Sequence, residues 1–379
     1  MSGQPARVCF DARWANDAGG TGVATFGETL ARALPIAGLA AERLVDGGIR
    51  WSRARRWASA LSLAPVQARR IEGGDWAAAD IYRRAQNRFS ASGRPLEIAF
   101  DPPPAIMHWT YPLPLWAAGA VNIYTIHDLI PLDQPELTGI DRKRHMRLLR
   151  AVTAHADHVL TVSETSRAAI IERLGIAPDR VTSLYQPGAA LPARSRGDAE
   201  FPDQGYYLHV GRIEPRKNLE RLIEAHRRSG SARPLLIVGP DGEGPRGWSV
   251  ERVLRHVDGE RVVRLGWVDR ERLSGLIGGC RALLLPSLAE GFGLPIVEAM
   301  TAGAAVMTSD FGATAEIAGE AALLVDPWDV AAMANAIRRI DGDDALVAWL
   351  RDAGRRRAGQ FSVEAFAAGL SMLYRKLLA

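Results

Sequence analysis

The sequence predicts an α/β protein of two doubly wound, Rossmann-like domains facing a central cleft. Three observations lead there. Strand-like and helix-like segments alternate for most of the length, the pattern of parallel sheets covered by helices. The 379 residues correspond to about 2.5 domains at roughly 150 residues each, which favours two substantial cores. The alternation is interrupted after Pro187 by small and charged residues (Pro192, Arg194, Ser195, Arg196, Gly197, Asp198) and then by the turn-prone Pro202 and Asp203, a composition suited to a linker.

The first domain, 1–187, opens with a strand at Arg7 to Asp11, a turn rich in glycine (Gly19, Gly20, Gly22) and a helix carrying Phe26, Leu30 and Leu34 at helical spacing. Further strands are predicted at Leu96 to Phe100, Ile106 to Trp109, Val121 to Ile126 and His158 to Val162, five in one sheet. The last leads into Ser163 as an N-cap and a helix that stops before Gly175. The second domain, 188–361, shows strands at Tyr206 to Val210, Leu235 to Val238, Val262 to Leu265, Ala282 to Leu285, Ala305 to Thr308 and Ala322 to Val325. They are short and apolar on both faces, as strands sandwiched between helices must be. Phe361 to Leu378 reads as a closing helix.

Hydrophobic residues make up 47% and charged residues 24%, values of an ordinary globular chain, which excludes a disordered, collagenous or coiled-coil protein. No apolar run approaches the ~18 residues of a membrane span. The run Val8 to Phe10 is broken by Asp11 and Arg13, unlike a secretory signal, so a cytoplasmic protein is expected. Cys9 and Cys280 have no ligand-type spacing and read as buried hydrophobes, with neither disulfide nor zinc expected.

The net charge of +4 gives no reason to expect nucleic acid, but the charge is uneven. Residues 1 to 190 hold 22 Lys/Arg against 18 Asp/Glu, and the remainder is balanced at 25 against 25. Residues 51 to 100 contain nine arginines and four acids, interleaved with Trp51, Trp57, Leu61, Leu63, Trp76, Ile81 and Tyr82. Two readings fit segment 51–88: a patch that meets an anionic membrane surface, with guanidiniums on phosphate and indoles at headgroup level, or a solvated arginine-rich face.

Three segments could carry chemistry. Glu290 to Glu298 follows the strand Ala282 to Leu285, with Pro295 at the first helical position, Glu298 in the first turn and Gly303 at the end. Glycines admit a ligand close to the backbone, the helix start offers N–H groups to a phosphate, and two carboxylates could accept from sugar hydroxyls on either side. Alone, Glu298 would read as a residue that merely complements the helix dipole. The turn Gly211 to Asn218 sits at the carboxyl end of a strand, where α/β sheets bind ligands, and offers Arg212 and Lys217 as cations for a diphosphate. The alternative is a surface basic turn, and Arg216 reads as structural or solvated. At Ile126 to Asp128, His127 could donate to a sugar hydroxyl with Asp128 orienting it, or the pair could be a structural hydrogen bond. The glycine turn near residue 20 is the weakest signal, since it forms no GxGxxG after the first strand, where a dinucleotide fingerprint would stand, which also disfavours a nicotinamide-dependent dehydrogenase.

GRIEPRKN at 211–218 together with EGFGLPIVEAM at 290–300, an E-x7-E pattern, resembles the retaining glycosyltransferases of family 4, which have the GT-B fold. The likeness extends to FDAR and GGTGV near the start, HDLIPL at 127–132, VLTVSETSR at 159–167 and GEAALLVDP at 319–327, and is strongest to the mannosyltransferases of bacterial O-antigen and exopolysaccharide assembly. The resemblance implies catalytic roles for His127, Arg212, Lys217 and Glu290. Glu290 would contact the donor sugar, Glu298 the ribose, and Arg212 and Lys217 the diphosphate, with backbone N–H groups around Phe292, Gly293 and Leu294. Gly20, Thr21 and Gly22 would close over the phosphates, His127 would contact the transferred sugar, and the helix 362–379 would pack back on the first domain. Residues 47–95 match no known motif, and acceptor choice would normally be decided there.

The activity so implied is transfer of a hexose, mannose from GDP-mannose by resemblance, to a hydroxyl of a glycan or of a polyprenyl-diphosphate-linked acceptor. The anomeric configuration would be retained and the protein would sit peripherally at the inner face of the membrane. No Asp-x-Asp pair or His/carboxylate cluster with ligand spacing appears near these motifs, so neither metal nor other cofactor is expected. dTDP-rhamnose, GDP-fucose or a UDP-hexose are alternative donors. A nucleotide-sugar epimerase and a non-catalytic nucleotide-sugar-binding protein are alternative classes.

Overall fold

The computed structural model describes residues 5–13, 22–48, 51–62, 64–188 and 200–379. Gly19, Gly20, Thr21, Leu63 and the linker residues 192–198 lie outside them. The first domain contains strands β1 (Arg7–Asp11), β2 (Ala40–Asp46), β3 (Val66–Gln67), β4 (Arg69–Arg70), β5 (Trp76–Ala78), β6 (Leu96–Ala99), β7 (Ile106–Trp109), β8 (Leu115–Ala117), β9 (Val121–Thr125), β10 (His158–Thr161) and β11 (Val181–Ser183). Eight of them form one sheet in the order β11-β10-β9-β7-β1-β2-β5-β4. Every pairing is parallel except that of β4 with β5 at the edge.

This sheet is larger than the five strands expected, and Leu96–Ala99 is not in it. That strand pairs with β3 and β8 in a separate three-stranded sheet. It buries only alternate residues, Leu96 and Ile98, the pattern of a sheet with one covered face. Strand β2 escapes a reading for apolar runs because Glu42 interrupts it. That carboxylate is buried, accepting from Arg7 Nε at 2.8 Å and from the Trp76 indole at 2.8 Å, so its hydrogen bonds are satisfied inside the fold.

The second domain carries β12 (Tyr207–Val210), β13 (Leu235–Val238), β14 (Val262–Gly266), β15 (Ala282–Leu285), β16 (Ala305–Ser309) and β17 (Leu323–Val325). All are parallel, in the order β14-β13-β12-β15-β16-β17. The order reverses between β12 and β15, and in such sheets the crevice beyond the carboxyl ends at that point is where ligands bind. β12, β13 and β15 are buried throughout, as the unbroken apolar sequences of β13 and β15 require, and the one polar residue of β12, His209, bonds Leu284 O at 3.0 Å.

The closing helix Val363–Leu378, capped by Ser362, lies against the first-domain helix Gly22–Ile36. Phe366 meets Phe26 edge-on at 6.0 Å, and the fully buried Tyr374 hydroxyl bonds His108 Nδ1. The arginine-rich segment contributes less surface than its composition suggests. Trp76, Ile81 and Tyr82 belong to the core, the Tyr82 hydroxyl donating to Leu44 O at 2.7 Å. Trp51 lies between the guanidiniums of Arg55 and Arg84, 4.2 and 4.1 Å from the ring centroid. Of the aromatics in that segment, Trp57 on the helix Arg53–Leu61 remains exposed, at 44%. Among the described residues no helix is long and apolar enough to cross a membrane.

Candidate functional site

β12 ends in a turn held from below. Asn218 takes a left-handed conformation (φ 60°), and its amide donates to Pro286 O at 3.0 Å and Pro327 O at 2.7 Å. The single turn Pro215–Lys217 is thereby fixed, with Lys217 only 5% exposed. A Cβ on Gly211 would meet the Lys217 Cε at 3.1 Å, so the lysine lies across the glycine. Its Nζ is 2.5 Å from Glu290 Oε1, Arg216 Nη1 is 2.6 Å from Glu290 Oε2, and the Ser287 hydroxyl adds a bond of 2.9 Å to Oε1. Glu214 holds the other side of Arg216 at 2.7 Å.

Burial pushes the Glu290 carboxyl up, but the Arg216 guanidinium and Lys217 ammonium outweigh it and hold it at about 2. Burial pulls the Lys217 ammonium down and Glu290 works against that pull. The Arg216 guanidinium is raised, burial being outweighed by Glu290 and Glu214. Arg216, read from sequence as structural or solvated, therefore belongs to the ionic cluster as a partner of Glu290. Arg212 is exposed at the rim and does not join it.

The second turn leaves β15 through Ser287 and Glu290 to the helix Leu294–Ala302. Gly293 is its N-cap at φ 106°, where a side chain would strain the backbone and meet Ile296 Cδ1 at 3.0 Å. Gly303 closes the helix at φ 75°. Pro295 occupies the second helical position rather than the first, and Glu298 falls beyond the first turn, because the helix begins at Leu294. Glu298 is buried, close under the strand exit at Gly188, whose Cβ would lie 3.3 Å from Glu298 Cγ. Ile296 N–H is used by Gly293 O at 2.9 Å and Pro295 has none. The N–H groups of Phe292, Gly293 and Leu294 are left without an acceptor among the described residues, the donors a phosphate would use. The Phe292 ring itself is packed between Tyr185 (6.2 Å) and Phe361 (6.0 Å).

The first domain meets this turn directly. A Cβ on Gly291 would lie 2.7 Å from His127 O and 3.0 Å from Asp128 Cβ, so only glycine lets the two segments approach. Ser163, at the end of β10, donates to Gly291 O at 2.8 Å, and Ser166 donates to His127 O at 3.0 Å. A Cβ on Gly22 would lie 3.7 Å from Leu294 Cδ1, which puts the two helix starts close to each other. Glu316, from the second-domain helix Gly312–Ala318, accepts from the Glu164 and Thr165 N–H groups at 2.7 and 2.8 Å and from the Tyr185 hydroxyl at 2.8 Å.

His127 Nε2 lies 2.9 Å from Thr110 O. A carbonyl only accepts, so Nε2 carries the proton and, in the neutral ring, Nδ1 is the acceptor. Burial lowers the imidazole's pKa, with the Thr110 bond and Asp128 opposing, which favours that neutral form. Asp128 does not orient it: its Oδ1 accepts from the Ile130 N–H at 3.0 Å, and the Thr110 carbonyl fixes the ring instead.

The geometry thus joins His127, Gly22, Lys217, Glu290, Phe292, Gly293 and Leu294 around one crevice. Two family models match the chain: "Glycosyltransferase Family 4" over residues 21–187 and "Glycosyl transferases group 1" over 204–343. O-antigen chain mannosyltransferase B of Escherichia coli is 33% identical over 263 residues, 64% of this chain and 67% of that one. The chain belongs to glycosyltransferase family 4. O-antigen chain mannosyltransferase RfbU of Salmonella typhimurium is 28% identical, the match taking in 57% of this chain and 60% of the relative. The Escherichia coli serotype-specific mannosyltransferase WbdA is 29% identical over only 32% of its own length. Sucrose-phosphate synthase from Thermosynechococcus elongatus superposes with a TM-score of 0.70 at 20% identity, covering 98% of this chain and 99% of that structure. Anabaena HepE in complex with UDP and glucose gives 0.69 at 15% identity, covering 98% and 100%. These superpositions make the fold GT-B.

Sequence reasoning in the family 4 chain missed Ser166 and Glu316 as bridges between the domains. Ser166 lies in the VLTVSETSR segment that carried part of the resemblance, whereas an exposed glutamate in an ordinary helix, as Glu316 reads, gives no signal. The ionic cluster makes a direct prediction. Glu290→Gln strands the buried Lys217 ammonium, leaves Arg216 with Glu214 alone, and should lower stability by about 3–5 kcal/mol at pH 7 in urea unfolding. Because the Glu290 carboxyl is held at about 2 against an ordinary 4.5, its contribution is complete above pH 4.5 and fades as pH falls towards 2, so the gap between wild type and variant should narrow below pH 4.5. A gap independent of pH contradicts the pairing.

Proposed function

We propose that this family 4 enzyme transfers mannose from GDP-mannose, with retained configuration, to a hydroxyl of a polyprenyl-diphosphate-linked glycan in surface polysaccharide synthesis. The observation that carries the reading is the convergence of Lys217, the free N–H groups at the start of the helix Leu294–Ala302, and His127 on one crevice. The mannose and acceptor assignments rest on likeness to the O-antigen mannosyltransferases.

In this reading the bond between the anomeric carbon and the diphosphate oxygen breaks. Lys217 and the helix-start N–H groups stabilise the charge that grows on the leaving group, with Arg212 reaching it from the rim. Glu290 accepts from sugar hydroxyls and Glu298 from the ribose. His127 Nδ1 accepts from a hydroxyl of the transferred sugar, a role its committed Nε2 proton favours over donation. The acceptor hydroxyl attacks from the leaving-group face and passes its proton to a phosphate oxygen. Cations of the protein neutralise the diphosphate, so the reaction needs no divalent metal.

A thermal-shift panel of nucleoside diphosphates, followed by transfer assays with the matching sugars, tests the donor. Lys217→Ala should cut kcat by about 100-fold to 1,000-fold while the protein remains folded, and chelator should leave the wild-type rate unchanged. A variant that turns over normally removes Lys217 from the mechanism.

We place the exposed face of the helix Arg53–Leu61, with Arg53, Arg55 and Trp57, against anionic lipid at the inner face of the membrane. Vesicles containing anionic lipid should retain the protein at low salt and release Trp57→Ala. Equal behaviour of both proteins contradicts the contact.

A further inference from the structure

A cavity of about 330 Å³ opens in the first domain beyond the carboxyl ends of β1 and β2. Three guanidiniums reach it from three elements: Arg13 after β1, Arg56 from the helix Arg53–Leu61, and Arg83 from the helix Ile81–Ser92. Three carboxylates oppose them: Asp46, Asp80 and the buried Asp11, which acts electrostatically on Arg13. Asp46, on the cavity wall, accepts the Asp80 N–H at 2.9 Å, and the buried Asp80 takes the Trp51 N–H at 3.3 Å and sits 3.5 Å from Arg56 Nε. Arg13 and Arg83 are exposed and have no carboxylate ion-pair partner among the described residues. Arg13 lies over the Tyr111 ring at 5.8 Å, next to Thr110, whose carbonyl holds His127. Arg13, on the cavity wall, is thus linked through Tyr111 and Thr110 to the residue placed against the transferred sugar.

We propose that this cavity binds the phosphate or diphosphate ester carried by the acceptor. The inference rests on the glycosyl-transfer reading and names the part of the acceptor that the first domain grips. Guanidinium forks match pairs of phosphate oxygens, and two of them outside any ion pair among the described residues suit a dianion. Gln86 and Asn87, on the same wall, supply neutral donors for ester oxygens or sugar hydroxyls. The volume is at the lower end of small-molecule sites, about 300–1,000 Å³, so it accommodates a headgroup rather than an oligosaccharide. Arg56 links the cavity to the helix whose other face carries Trp57, an arrangement that would leave the tail of a lipid diphosphate beside the membrane.

The test is calorimetric titration of the full chain with inorganic pyrophosphate, in wild type, Arg13→Gln/Arg83→Gln and Lys217→Ala. Wild type should show two independent sites, with GDP competing only for the one that Lys217→Ala weakens. The double variant should lose about tenfold or more in affinity at the other site and keep GDP binding. Both arginines are exposed, so its thermal midpoint should match wild type, and Arg83→Gln alone serves if it does not. Pyrophosphate binding by the double variant identical to wild type overturns the proposal. Unchanged binding in Lys217→Ala would strike the donor-site reading and leave this one standing. Farnesyl diphosphate binding more tightly than pyrophosphate supports a lipid carrier, and equal affinity supports a phosphate on a soluble acceptor.

Discussion

The site depends on how a buried lysine and a half-buried arginine can be held together beyond the carboxyl ends of two central strands. An ammonium group taken out of water costs several kcal/mol unless an anion and further hydrogen bonds replace its hydration. Glu290 replaces it for Lys217 and Arg216 at once, with Ser287 on one oxygen and Glu214 behind the arginine. The two partners come from different strand exits, β12 and β15, adjacent at the point where the sheet order reverses. The topology thus sets the address of the cluster, and the cluster holds the two exit turns in register. A diphosphate entering there would meet cations already desolvated and fixed in place, the condition under which charge stabilisation is strongest.

A second constraint acts across the domains. Gly291 touches the His127 carbonyl at a distance that admits no side chain, and Ser163 and Ser166 bind the two loops together. Glu316 adds a carboxylate at the start of the first-domain helix Glu164–Leu174, where the exposed N–H groups and the positive end of the helix dipole both favour an anion. The His127 backbone is thereby held against the second domain while its ring is fixed by Thr110 of the first, and the candidate site belongs to the crevice rather than to either half. The returning helix Val363–Leu378 reinforces this, since Phe366 and Tyr374 extend the apolar core from the second domain into the first.

Much of this was legible in the residues, and the limits were physical. The strands of the second domain are short, largely apolar segments and the central ones are covered on both faces, so their positions could be read almost to the residue. The first domain conceals more. β2 carries a buried, fully paired glutamate in its middle, and Leu96–Ala99 has the alternation of a strand without any mark of the sheet it joins. Within the site, the E-x7-E turn and Lys217 stood out by type and spacing. Arg216 did not, since nothing in a run of two basic residues says which one turns inward; Asn218, anchored to two proline carbonyls, decides it. Asp128 beside His127 suggested a pair that the backbone breaks by giving each side chain a different partner.

The central claim is that Lys217 and the start of the helix Leu294–Ala302 receive the diphosphate while Glu290 and Glu298 face the rings at its two ends. A crystal structure with bound GDP-mannose tests it most directly. The account predicts phosphate oxygens within about 2.7–3.2 Å of Lys217 Nζ and of the Gly293 or Leu294 N–H, the hexose against Glu290 and the ribose against Glu298. A nucleotide bound elsewhere, or a diphosphate in the crevice with both glutamates turned to solvent, would contradict it.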